Sequence, residues 1–222
     1  MNLVKTLIVI IKIFLVTGIA VAQNTAVGLR IGASSFTVKN DLFEEDAEFM
    51  TGLDIAIPIE LSLSEVLSLQ PELHYTQKGV AFEGQYEGQN VNTTFKTNYL
   101  ELPVLLKADY GSERFKCFAF IGPSIGYALK QTVSEKIDDA EKVKEELEFI
   151  SDGNIQDRRW DFSAVGGIGA SMKAGVGSIV LDVRYSMGFS DTIKFDGDKP
   201  NDWEKSTNRG CTISLGYMLP IK

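Results

Sequence analysis

The chain has 222 residues, of which 44% are hydrophobic, and its 22 basic and 30 acidic side chains give a formal charge of −8. That length allows one domain beyond a leader segment, and the acidic balance argues against a nucleic-acid partner, which needs clustered lysine and arginine. Past the N-terminus no run reaches the ~18 apolar residues of a membrane helix, but a span built from strands would not show in such a count.

Residues 1–22 read as a secretory signal peptide. Lys5 marks a basic start, residues 7–16 are apolar except for Lys12, and Ala20 and Ala22 form a small-x-small end. A transmembrane anchor is the competing reading, but the run falls short of ~20 residues and contains Lys12. Cleavage is expected after Ala22, which leaves residues 23–222 to fold as one domain. Loss of Lys5 and Lys12 takes the formal charge from −8 to −10.

The first strand, 26–36, sets Val27, Leu29, Ile31 and Ala33 against Gly28, Arg30, Gly32 and Ser34. A polar stretch, 37–50, carries Asp41, Glu44, Glu45, Asp46 and Glu48. Over 52–79 two strands of period two are joined by a short polar turn. The first alternates Leu53, Ile55, Ile57, Ile59 and Leu61 with Asp54, Ala56, Pro58 and Glu60. The second alternates Leu67, Leu69, Pro71, Leu73 and Tyr75 with Ser68, Gln70, Glu72, His74 and Thr76. A loop rich in Gly, Asn and Thr is expected from there to Lys96.

Strand four, 97–108, alternates Leu100, Leu102, Val104 and Leu106 with Tyr99, Glu101, Pro103, Leu105 and Lys107, and a turn at 109–114 follows. Strand five, 115–128, starts apolar on both faces. Its phase is set by Lys116, Gly122, Ser124 and Gly126 against Cys117, Ala119, Ile121 and Ile125. Within the long connection 129–158, the segment 134–149 is dense in Glu and Lys. Ile137, Ala140, Val143 and Leu147 recur there at helical spacing, which predicts one helix.

Strand six, 159–173, sets Trp160, Phe162, Ala164 and Ile168 against Asp161, Ser163, Gly167 and Gly169, and a tight Gly-containing turn leads to strand seven. There Ile179, Leu181, Val183, Tyr185 and Met187 oppose Asp182, Arg184 and Ser186. After an acidic loop at 190–206, strand eight, 208–219, alternates Cys211, Ile213, Leu215, Tyr217 and Leu219 with Gly210, Thr212, Ser214 and Gly216. Cys117 and Cys211 fall in strands that are not neighbours, so free, buried thiols are expected rather than a disulfide. Pro58, Pro71, Pro103 and Pro123 interrupt strands and are read as bulges or edge-like irregularities.

The connections alternate long and short along the chain. A soluble sandwich has no reason to collect every long loop at one end, whereas an outer-membrane barrel has short periplasmic turns and longer extracellular loops. The two faces agree. Glycines 28, 32, 122, 126, 167, 169, 210 and 216 share one face with Arg30, Asp54, Glu72, Glu101, Lys107, Asp182 and Arg184, while the other is aliphatic. Small residues beside isolated charges suit the crowded inside of a narrow barrel, with lipid outside. The expected fold is all-β: an eight-stranded antiparallel up-and-down transmembrane β-barrel with one helix in the third long loop. A soluble periplasmic ligand-binding barrel, with the faces reversed, is the alternative.

Leu69-Gln70-Pro71-Glu72-Leu73-x-Tyr75-x-x-Lys78-Gly79 and Tyr99-Leu100-Glu101-Leu102-Pro103-Val104-Leu105-Leu106-Lys107 are the most specific stretches. With Gly28-x-Arg30-x-Gly32 and Gly122-Pro123, they make the chain resemble the PorT-like outer-membrane β-barrel family of Bacteroidota. The resemblance spans nearly the whole mature chain. It implies residence in the cell outer membrane, with membrane lipid and, during insertion, the barrel-assembly machinery as partners. Members mostly lack an assigned function, and a role in secretion does not carry over.

Chemistry is sparse. His74 is the one histidine and is expected in an interior hydrogen-bond network with Glu72. No Ser/His/Asp arrangement and no zinc spacing exist around it. Asp196, Asp198, Asn201 and Asp202 offer oxygen ligands, yet without the EF-hand order or its closing Glu, and are read as a surface turn. Accordingly no catalytic, cofactor or metal residues are assigned, and no enzyme is expected. An eight-stranded barrel is just wide enough for side chains to fill. The expected role is a filled barrel presenting acidic surface loops for binding or adhesion, with a narrow pore or small-solute transporter as the alternative.

Overall fold

The computed structural model describes residues 25–39, 47–86, 88–138, 141–150, 155–195 and 205–221. The expected signal peptide and the expected surface turn at 196–202 lie outside them. Among the described residues eleven strands occur in chain order: β1 (Thr25–Lys39), β2 (Ala47–Ser62), β3 (Leu67–Tyr86), β4 (Gln89–Gly111), β5 (Phe115–Ile137), β6 (Val143–Leu147), β7 (Ile155–Asp157), β8 (Trp160–Ala174), β9 (Gly177–Gly188), β10 (Ile193–Phe195) and β11 (Thr207–Ile221). The eight long ones pair antiparallel in the order β1-β2-β3-β4-β5-β8-β9-β11, and β11 returns to β1 over its whole length, from Thr25↔Ile221 to Lys39↔Thr207. The sheet is a closed ring, so within the ring every long strand is paired on both sides.

The inversion expected from the two faces is what the ring shows. Ile121 and Ile168 are 65% and 67% exposed on the outside, whereas Arg30, Glu72 and Asp182 are at most 2% exposed inside. A soluble barrel would bury the aliphatic face; here it forms the outer belt that meets lipid. Tyr127 and Trp160 pair across β5 and β8 at the long-loop end of that belt, with ring centroids 4.9 Å apart. This is where amphipathic rings suit a membrane–water boundary.

One end of the ring is tightly closed. Ser64 Oγ accepts from the backbone N–H of Leu67 at 3.0 Å in the β2–β3 turn, and Ser112 N–H donates to Phe115 O at 2.8 Å in the β4–β5 turn. At the β8–β9 turn Gly175 has φ +63°, which a side chain would strain. The Tyr217 hydroxyl staples that turn, donating to Ala174 O at 2.7 Å and accepting from Gly177 N–H at 3.0 Å.

The opposite end differs from the sequence expectation in two ways. The expected loop up to Lys96 is instead ladder: β3 and β4 stay paired from Gly79↔Lys96 to Tyr86↔Gln89. Within the expected helix at 134–149, residues 134–137 and 143–147 are strand instead. β5 continues to Ile137, Asp138 turns the chain at φ 44°, and β6 lies back against Gln131–Glu135 of β5. The cause is non-local. Beyond Tyr127↔Trp160, β5 has left β8 and its backbone groups need partners, a demand that outweighs the helix preference of Glu and Lys. Over those five residues Val143 and Leu147 fall on one face in a strand as they do in a helix, so their spacing admits either.

Two smaller expectations also change. The four prolines mark irregularities but not bulges: register is the same on either side of Pro58, Pro71, Pro103 and Pro123, yet the ladders skip pairs beside them, as between Pro71↔Val104 and His74↔Glu101, and the true shifts fall between Phe49/Asp54 and Asn98/Tyr99. Cys117 and Cys211 are free, as expected, but exposed rather than buried. Both sit on the aliphatic outer face, where a thiol behaves as a small hydrophobe.

Candidate functional site

The barrel interior is built in layers, each following from which side chains alternate inward at one height. Near the tight-turn end, Lys107 Nζ meets Glu60 Oε2 at 2.7 Å and Asp109 Oδ1 at 3.2 Å. Above it Leu105, Phe118, Phe120, Val180 and Met218 form an apolar cluster, joined by Val165. The Phe118 and Phe120 rings stand over Gly169 and Gly167 of β8. A Cβ on those glycines would come within 2.3 Å and 2.5 Å of the ring carbons. Each glycine is therefore the space into which an aromatic ring fits. Lys107 and Arg184 cap the same rings from below and above, at 4.6 Å and 5.0 Å from the centroids.

The middle layer is a closed ionic network. Arg30 contacts Glu72 and, at 2.7 Å, Asp182. Arg184 bridges the same two carboxylates at 2.8 Å and 3.0 Å. Gln70 Nε2 donates to Glu72 Oε1 at 2.5 Å. His74, expected beside Glu72, contacts it through Nε2 and reaches Asp54 through Nδ1 at 3.1 Å. Three carboxylates thus face two guanidiniums and one imidazole, all nearly inaccessible to solvent. Burying such groups is costly unless each charge is paired, and the network pairs every one, although Arg30 Nε and Asp54 Oδ1 are left without a hydrogen bond. Arg30 lies against Gly216, where a Cβ would meet its Cγ at 2.2 Å.

The third layer lies toward the long-loop end. Lys78 Nζ meets Glu101 at 2.5 Å and Asp161 at 2.9 Å, and sits over the Phe36 and Tyr99 rings. Asn208 Nδ2 donates to Asp161 Oδ2 at 3.2 Å. Sequence reading identified most of the middle layer but not Lys78, Asp161 and Asn208 as one cluster, nor the inward rings of β5. Glycines 167 and 169, spaced to face Phe120 and Phe118, were the available signal.

Above the third layer the wall on one side keeps rising. The ladder between β8 and β9 ends at Ser163↔Gly188, whereas β3, β4 and β5 continue well past it. With β6 on one flank and Ala47–Phe49 of β2 on the other, they make a five-stranded projecting sheet. Its inner face continues the barrel interior and carries an apolar cluster, with Phe82 and Phe95 edge to face at 6.2 Å and Val80 and Val133 beside them, flanked by Glu135 and Glu145 on the same face. Its outer face continues the lipid-facing side.

A closed antiparallel ring with aliphatics outside and ion pairs inside defines an integral β-barrel of the outer membrane. Residues 21–194 match the family described as outer membrane protein beta-barrel domain, and the chain belongs to that family. No curated protein matches the sequence. Among solved structures, Ail of Yersinia pestis, crystallised with the heparin analogue sucrose octasulfate, shares 13% identity over 90% of this chain and 100% of that one, with a TM-score of 0.41. The Neisserial surface protein A shares 12% over 87% and 97%, with a TM-score of 0.45. OprG from Pseudomonas aeruginosa shares 11% over 89% and 96%, with a TM-score of 0.42.

Proposed function

We propose that this outer-membrane barrel is a surface-presenting binding protein rather than a conduit. The tight turns face the periplasm, and the long loops with the projecting sheet lie outside. The observation that carries this reading is the filled interior: two ionic layers with an apolar cluster and a third ionic layer between them occupy the lumen. The mature chain begins at Gln23 after cleavage of the signal peptide, and Gln70-Pro71-Glu72 with Tyr99-x-Glu101-x-Pro103 supports a PorT-like affiliation within the family. The reading is of a binder, not an enzyme, because His74 is held between carboxylates inside the wall rather than facing a cleft.

Single-channel recording in planar bilayers tests it, with no stepwise conductance as the expected result. A second reading, a narrow solute path, is favoured by a vestibule of about 320 Å3 at the tight-turn end, lined by Lys107, Lys116, Lys173 and Met218 among others. Discrete openings in the same recording would replace the first reading with the second. For orientation, protease added to intact cells should cut within 138–159 and spare 112–114; the reverse pattern would invert the assignment. N-terminal sequencing of mature protein that still began at Met1 would remove the signal-peptide proposal.

A further inference from the structure

The outer face of the projecting sheet departs from the acidic character of the chain. Residues paired directly across a sheet share a face. The pairs Gly79↔Lys96, Glu83↔Asn92, Asn92↔Lys136, Lys96↔Thr132, Asn98↔Lys130, Ser134↔Lys144 and Thr132↔Glu146 therefore put four lysines, 96, 130, 136 and 144, on one surface with two glutamates. Both glutamates are already engaged: Glu146 with Lys130, and Glu83 with the Asn92 amide at 2.7 Å. Among the described residues, Lys96, Lys136 and Lys144 make no ion pair. Partial burial, with repulsion from Lys142 and Lys144, pushes the Lys96 ammonium below its ordinary value. Like charges held this close are relieved by an anion.

Place decides which anion. The face is the upward continuation of the lipid-facing side of β3, β4 and β5, since Gln77, Asn98 and Lys130 follow Tyr75, Leu100 and Tyr127 on the outside of the same strands. Lys130 and Lys136 lie roughly 10 Å and 30 Å of strand contour beyond Tyr127, at ~3.3 Å per residue. Strand tilt brings the lower lysines within the headgroup zone that adjoins the apolar belt. Thr94, Thr132 and Ser134 between them are at most 9% exposed, and the Thr94 and Thr132 hydroxyls already donate to Asn92 Oδ1 and Lys96 O, so the lysines present the donors.

We propose that this lysine face binds the phosphate-bearing headgroups of anionic lipids in the leaflet from which the sheet rises, so that the protein gathers such lipids along β3–β6. The proposal rests on the membrane-barrel reading but not on which end is extracellular, and a symmetric bilayer separates the two. The test measures association of spin-labelled phosphatidic acid relative to spin-labelled phosphatidylcholine with the full-length mature barrel in phosphatidylcholine bilayers. Native folding of every protein is checked by heat-modifiable gel mobility.

Wild type should prefer phosphatidic acid at low salt, on the order of fivefold per engaged lysine, and the preference should fall as NaCl is raised. The triple variant Lys96→Gln, Lys136→Gln, Lys144→Gln should lose most of it. Arg114→Gln, Lys116→Gln, Lys173→Gln removes the same charge at the tight-turn end and should keep it. Equal association of both lipids with wild type, or a preference that survives in the first variant and vanishes in the second, overturns the proposal. So does lysine-dependent capture of soluble dextran sulfate without any lipid preference, which would assign the face to a free polyanion.

Discussion

Lysine occurs in two settings in this barrel. Lys78 and Lys107 point inward, and each is flanked by two carboxylates and an aromatic face. Lys96, Lys136 and Lys144 point outward on the projecting sheet and make no ion pair among the described residues, Lys96 donating instead to Gln77 Oε1 at 3.4 Å. Inside, water is excluded, so an ammonium is tolerable only when its partners come with the fold. Outside, solvent screens the charges. The interior pairs are therefore structural and the exterior lysines are free to act on something else, and substitutions should separate the two regions by size of effect.

The largest effect is expected at the centre of the middle layer. Glu72 accepts from Arg30, Arg184 and Gln70 at once. Glu72→Ala should lower the unfolding free energy by about 3–5 kcal/mol, because it leaves two guanidiniums buried beside a void. Urea titration of the barrel refolded into detergent micelles measures it. A change below about 1 kcal/mol would mean that water already penetrates the layer.

Next comes a pair of neighbours on opposite faces. Ile57 is 45% exposed on the outer belt and Ala56 is fully buried between Arg30 and His74. Ile57→Arg near the bilayer midplane should cost roughly 2–4 kcal/mol on folding into lipid. Ala56→Phe overfills the interior and should cost ~1–3 kcal/mol. An Ala56→Phe barrel as stable as wild type, beside an Ile57→Arg barrel that fails to fold, would reverse the faces.

Those two residues also show why the barrel was legible in the sequence. Strand period two puts Ala56 and Ile57 on opposite sides wherever the ring closes, so alternation alone sorted wall from lumen along eight strands. The small and charged membership of one side then told which was inside. What escaped depends on distant partners. Val143, Lys144, Glu145, Glu146 and Leu147 satisfy helix and strand patterns alike, and β6 forms only because β5 parts from β8 above Tyr127. The lysine face escaped for the same reason: Lys96, Lys136 and Lys144 are scattered in sequence, and only cross-strand register collects them. The long-loop end is accordingly not uniformly acidic, as composition had suggested.

The smallest effect sharpens the comparison most, because it uses the same chemistry on both sides. Lys130 and Glu146 form an ion pair on the projecting sheet with 42% and 62% of their side-chain surface exposed, whereas Lys78 and Glu101 form one inside at 1% and 8%. Double-mutant cycles to Gln in each pair, followed by urea titration, isolate the two coupling energies. The exposed pair holds two mobile side chains in solvent and salt, so its coupling should be about 0–1 kcal/mol and shrink as NaCl is raised. In the interior pair Lys78→Gln strands Glu101 away from water, while Glu101→Gln leaves Lys78 with Asp161 alone, so the coupling should be larger and indifferent to salt. Equal couplings with equal salt dependence would show that the lumen around Lys78 is as wet as the surface, and the filled-barrel reading would fall with it.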